Sequence, residues 1–147
     1  MKKLNLVFLL LLCTPLIYAQ SFDKLVKQFK DEQGVSYQQL DKSVLPASVN
    51  AQLGEGAIES IVILNLEECS PELLKKFDST VRGLKIGKGY STLVRENDEE
   101  EYTHILTKSD GGKVTELIVL ESEKNEGTIV WIKGKGVSLD SLKALNK

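Results

Sequence analysis

The sequence is poor in the residues from which most catalytic and metal sites are built. Its 147 residues include two cysteines, one histidine and one tryptophan. Two cysteines exclude the dense disulfide framework of small stapled domains. One histidine, His104, excludes His-rich metal spacing of the His-Glu-x-x-His kind. With three prolines and 11 glycines, there is no Pro-rich or Gly-rich tract to act as a linker, and no internal repeat. Nor is there an excess of positive charge: 19 Lys and Arg stand against 21 Asp and Glu, for a net charge of −2. That balance removes the electrostatic reason to expect nucleic acid or an anionic membrane surface as partner.

The longest apolar run, Leu4 to about Ile17, follows the basic pair Lys2 and Lys3. It is shorter than the ~20 residues that cross a bilayer, and no basic cluster follows it. Tyr18-Ala19-Gln20 supplies a small residue at the cut, so residues 1–19 read as a signal peptide and residues 20–147 as one exported domain. Cys13 does not make this a lipoprotein: Leu12 before it is not small, and the apolar stretch continues past it. Cleavage removes Lys2, Lys3 and Cys13, taking the charge from −2 to −4 and leaving Cys69 alone. An intramolecular disulfide is then impossible. A domain of this length buries roughly two-thirds of its unfolded surface and needs no staple.

What is present is a run of strands. From Tyr90 to Lys133 the chain reads as a four-strand meander: Tyr90–Glu96, Glu101–Lys108, Lys113–Glu121 and Thr128–Lys133. The joins are short and polar, and Asp110-Gly111 tolerates the positive φ of a tight hairpin. Upstream, Ser21 is placed to cap a helix carrying Phe22, Leu25, Val26 and Phe29 at helical spacing, with Gly34 as its stop. Val35–Leu40 reads as a short strand and Lys42–Leu53 as a helix around Val44, Leu45, Val49 and Leu53. Ile58–Leu66 is a strand whose uninterrupted apolar run Ile61–Leu64 predicts cover on both faces, hence a place near the middle of the sheet. Ser70-Pro71-Glu72 opens a helix with an N-cap, a proline at the first position and an early acid. Leu73, Leu74, Phe77 and Val81 line its buried side, and Gly83 ends it. Ser138 caps a closing helix with Leu139, Leu142 and Leu145. The predicted fold is α+β: one antiparallel-dominated sheet with helices packed mainly on one face.

The order of elements, the segment Leu66-Glu-Glu-Cys-Ser-Pro-Glu-Leu-Leu-Lys-Lys-Phe77 and the segment Tyr90-Ser-Thr-Leu-Val-Arg-Glu-Asn-Asp98 together resemble domain-of-unknown-function family 4252. The resemblance covers the whole mature chain. It implies a small exported protein of the Bacteroidetes type, with a hint of a setting beside extracytoplasmic sigma factors and their membrane anti-sigma partners. Several members look like lipoproteins, from which this chain departs. No catalytic residue is implied.

The residues with reactive side chains have plainer explanations. His104 shares a strand face with Tyr102 and Leu106, and no nucleophile elbow or orienting acid accompanies it in sequence. Cys69 precedes the Ser70 cap, where a helix dipole can activate a thiol, but a small residue packing a strand-to-helix corner fits the position better. Glu96, Asp98, Glu99, Glu100 and Glu101 suit a calcium ion in composition, yet lack the spacing of an ion-wrapping loop and read as a solvated hairpin. Gly83-Leu-Lys-Ile-Gly87-Lys88-Gly89 has one residue too few between its glycines for a phosphate loop and follows a helix. Trp131, in Ile-Val-Trp-Ile, reads as core. No catalytic, cofactor or metal residue is therefore predicted. The expectation is a non-catalytic envelope protein that binds, its partner an envelope or membrane regulatory protein. The alternative is a small-molecule or lipid carrier with an apolar cavity lined by Phe29, Phe77 and Trp131. An enzyme working through His104 or Cys69 ranks third.

Overall fold

The computed structural model describes residues 21–48, 57–138 and 140. Its elements are α1 (Phe22–Phe29), β1 (Ser36–Asp41), β2 (Ile58–Asn65), α2 (Pro71–Arg82), β3 (Tyr90–Asn97), β4 (Glu101–Asp110), β5 (Lys113–Glu123) and β6 (Glu126–Val137). The six strands form one sheet in the order β1-β2-β6-β5-β4-β3, and every neighbouring pair is antiparallel. The predicted meander is the contiguous block β3 to β6. Its last strand runs well beyond Thr128–Lys133, because register shifts at Val114/Glu116 on β5 and Ile58/Ser60 on β2 carry the pairing on through Gly134 to Val137.

Both described helices begin where their caps dictate. Ser21 Oγ accepts the Lys24 N–H at 3.3 Å and Ser70 Oγ accepts the Leu73 N–H at 3.3 Å, each satisfying one of the free amides of a first helical turn. Their ends differ from one another. Gly83 caps α2 as its sequence position predicts. α1 stops at Phe29, with Lys30 as its cap, well short of Gly34. Gly34 instead takes φ +87° in the turn that leads into β1. A Cβ there would lie 2.5 Å from the Glu68 carbonyl oxygen, so two chain segments meet at this glycine.

Two further expectations need correction. Lys42–Leu45 form a turn and bend, and helical backbone begins only at Ala47 and Ser48; Pro46 sits just before it, where its fixed φ is tolerated. Residues 49–53 of that predicted helix, like the body of the closing helix after Ser138, lie outside the described residues. β2 is not in the middle of the sheet with both faces covered: it is second from the β1 edge. Val62 and Leu64 are buried while Ile61 and Ile63 are only half-buried.

The core lies on one side of the sheet. α1 contributes Phe22, Leu25, Val26 and Phe29, and α2 contributes Phe77 and Val81. They pack on Val62 and Leu64 of β2, Tyr102 and Leu106 of β4, Ile118 and Leu120 of β5, and Ile129 and Trp131 of β6. These strand positions alternate along their chains and face one another across the ladder, as a single sheet face must. Phe29 and Phe77 meet edge to face at 5.3 Å, and Phe22 lies 5.1 Å from Tyr90 and 6.3 Å from Trp131. The residues proposed to line a carrier cavity are thus packed against one another or their neighbours. Leu73 and Leu74, expected on the buried side of α2, are only partly buried at its margin.

Candidate functional site

Polar groups on the helix-covered face are paired internally. His104 is 3% exposed. Its Nδ1 lies 3.0 Å from the Tyr102 hydroxyl and its Nε2 lies 2.8 Å from Thr92 Oγ1. Burial, and secondarily the Arg95 guanidinium, holds its pKa below the ordinary imidazole value. Its hydrogen bonds are to two hydroxyls, with no carboxylate to orient it as a base. Burial also pushes the Tyr102 hydroxyl upward. Glu116 accepts hydrogen bonds from the Tyr90 hydroxyl at 2.7 Å and from Trp131 Nε1 at 3.0 Å. Burial, and then that carboxylate, raises the Tyr90 pKa, so the phenol stays protonated. Asp78 Oδ1 accepts from Ser122 Oγ and Arg82 Nε, both at 2.8 Å. Arg82 in turn reaches Asn97 Oδ1 at 2.5 Å and the Asp98 carbonyl at 2.7 Å, tying α2 to the β3–β4 turn.

The pH dependence of stability follows from His104. A histidine with a depressed folded pKa binds its proton more weakly folded than unfolded, so its contribution is complete above the unfolded value of about 6.5 and declines as pH falls from there through the folded value. Thermal unfolding from pH 8 to 5 should therefore show a Tm that declines below about pH 6.5. His104→Gln should flatten that part of the profile; an unchanged slope would mean that other groups produce it.

The remaining sequence candidates separate. Cys69 is half-buried, and burial raises its thiol pKa above the usual value, away from activation. Asp98 Oδ1 accepts the amides of Glu100 and Glu101 at 3.2 and 2.9 Å, which makes it the clasp of the β3–β4 hairpin. Among the described residues no three His, Cys, Asp or Glu side chains converge as metal ligands. Glu99 and Glu100 line an open groove of about 620 Å³ with Glu72, Lys75, Asp78 and Lys124. The Gly83–Gly89 segment is an irregular connection from α2 to β3.

The opposite face of the sheet is different, and the sequence alone did not identify which residues form it. The register aligns Leu40, Ile61, Ile132, Leu117 and Thr107 in one cross-strand row. The next row is Gln38, Ile63, Val130, Val119, Ile105 and Val94. Nine of these eleven residues are apolar, and eight of the nine are half-buried, while Val94 is 37% exposed. None belongs to the core under the helices. At one end the band runs into Ile58, Val114 and Val137, which are buried and, with Leu117, Ile132 and Gly134, line a cavity of about 10 Å³. At the other end the rows become Ser36, Asn65, Thr128, Glu121, Thr103 and Glu96, then Glu126, Glu123 and Glu101. The signal in the sequence was the loss of alternation in Ile61–Leu64 and Leu117–Leu120, which marks strands apolar on both faces.

One six-stranded antiparallel sheet, with both described helices on the same face, defines a mostly-β α+β domain. The chain belongs to the family described as Domain of unknown function (DUF4252), whose family model matches residues 55–145. No curated protein and no solved structure matches it. No helix among the described residues is long and apolar enough to cross a membrane.

Proposed function

We propose that this chain is an exported, non-catalytic binding protein of the cell envelope, and that its docking surface is the face of its sheet opposite the two described helices. The observation that carries this reading is the apolar band from Leu40 to Val94, which crosses all six strands without joining the core under the helices. Half-exposed apolar patches that run continuously over several strands mark interaction surfaces. The polar groups of the other face are consumed in holding α2, β3 and β5 together, which leaves little there for a reaction. Export rests on the signal-like residues 1–19. A regulatory partner, of the membrane anti-sigma kind, is the setting that the family resemblance suggests.

The test is site-specific photo-crosslinking in the living host. A photoreactive phenylalanine analogue at Val119, in the centre of the band, should yield one reproducible protein adduct. The same group at Lys24 or Glu72, on the exposed surfaces of α1 and α2, should yield none. Adducts from the helix positions with none from Val119 would overturn the assignment.

A further inference from the structure

We infer that the partner presents a cationic amphipathic helix to this face; the inference rests on the face being the docking surface. Shape is the first argument. The two apolar rows span six strands spaced about 4.8 Å apart, giving a band about 24 Å long, and they lie about 7 Å apart along the strands. A helix is about 10 Å across and rises 1.5 Å per residue, so about 16 residues would cover the band. An apolar stripe along such a helix fits the helix-in-groove mode of recognition.

Charge is the second argument, and it sets the flank of that helix. Of the paired strand positions on this face, none is Lys or Arg. Five are glutamates, and all lie on one side of the band: Glu96 and Glu121 in the adjoining row, and Glu101, Glu123 and Glu126 in the row beyond. Glu123 stands where this face meets the groove beside α2. The strand lysines with assigned contacts belong to the helix-covered face: Lys133 lies over the Trp131 ring at 3.9 Å, and Lys108 over the Tyr90 ring at 5.6 Å. On that side the paired positions bordering the apolar band therefore carry charge of one sign, close to anything seated on it. A helix with lysines or arginines along one margin of its apolar stripe complements both features. A second copy packed on it through the same face brings the same glutamates and no Lys or Arg at the paired positions, and an anionic bilayer is repelled.

Three synthetic 18-residue helices with one leucine stripe, flanked on one side by lysines, glutamates or glutamines, are titrated by fluorescence anisotropy. The protein is used as its host processes it. The lysine peptide should bind at least about tenfold more tightly than the glutamate peptide, with the difference closing in high salt. Glu96→Gln with Glu121→Gln should shrink that preference several-fold, while Glu99→Gln with Glu100→Gln in the groove leaves it intact. Val119→Gln should weaken all three peptides. Equal binding of the lysine and glutamate peptides, or a preference that follows the groove variant, overturns the cationic partner while the docking face stands. Binding that ignores Val119→Gln removes the face itself. A dimer in sedimentation equilibrium that Val119→Gln dissociates, or tight binding to phosphatidylcholine vesicles, also overturns the proposal by assigning the face another occupant.

Discussion

Phe77→Ala should cost about 3–5 kcal/mol, the range for emptying a fully buried aromatic site. Phe77 is completely buried on α2, meets Phe29 of α1 edge to face, and lies directly over Gly127 of β6. It is thus the residue at which both helices and the sheet meet. Domains of this size are stable by about 5–15 kcal/mol, so the variant should be marginal, with a denaturation midpoint shifted far toward zero in urea. The converse change probes the same contact. A Cβ on Gly127 would lie 2.6 Å from the Phe77 ring, so Gly127→Ala should cost about 1–3 kcal/mol by overpacking. In combination with Phe77→Leu the two losses should not add, because the smaller side chain makes room for the methyl group. Strict additivity in equilibrium unfolding would show that the ring does not rest on this glycine.

Gly34→Ala should be nearly as damaging, at about 2–4 kcal/mol, by summing backbone strain and a steric clash. Its φ of +87° penalises any Cβ, and the added atom would meet the Glu68 carbonyl oxygen at 2.5 Å. That carbonyl belongs to the segment entering α2, so relief of the clash must separate the β1 turn from the α2 cap. Gly111→Ala supplies the comparison. Gly111 also has positive φ, +58°, but nothing lies within 4 Å of its Cβ position, so it should lose only the strain, about 1–2 kcal/mol. Equal midpoints for the two variants in guanidinium would mean that the contact with Glu68 contributes nothing.

Gly34 also shows where sequence reading stops. Its composition signal, glycine after an amphipathic stripe, was read as a helix stop, but α1 had already run out of apolar positions at Phe29. The glycine answers to a contact with Glu68, 34 residues away, which local pattern cannot register. Where the determinants are local, the reading holds for the Ser21 and Ser70 caps, the Gly83 stop and the four meander strands, whereas the β4–β5 hairpin takes its positive φ angles at Gly111 and Gly112 and not at Asp110, which pairs with Lys113. Strand order is the next gap, since nothing in Ile58–Leu66 announces that it pairs with β6. The candidate site was legible in part and misread. The apolar run Ile61–Leu64 was taken as a strand covered on both sides, whereas the same residues build one core face and one half-exposed face. An unbroken apolar strand says that both faces avoid water; it does not say that this chain covers both. His104 was correctly grouped with Tyr102 and Leu106 by alternation, while Thr92, its second partner, sits across a ladder whose register shifts at Leu93.

The strand order carries a consequence for how the protein is made. Among the described strands β6 is made last, yet it lies between β2 and β5 and alone joins the β1–β2 pair to β3, β4 and β5. Ile63 must find Val130 about 70 residues downstream before the sheet is joined, a loop whose closure is slow by the measure of contact order. A nascent chain that lacks β6 has its described strands in two unjoined pieces and no continuous face on which α1 and α2 can both pack. Folding of the sheet is therefore deferred until β6 has been made.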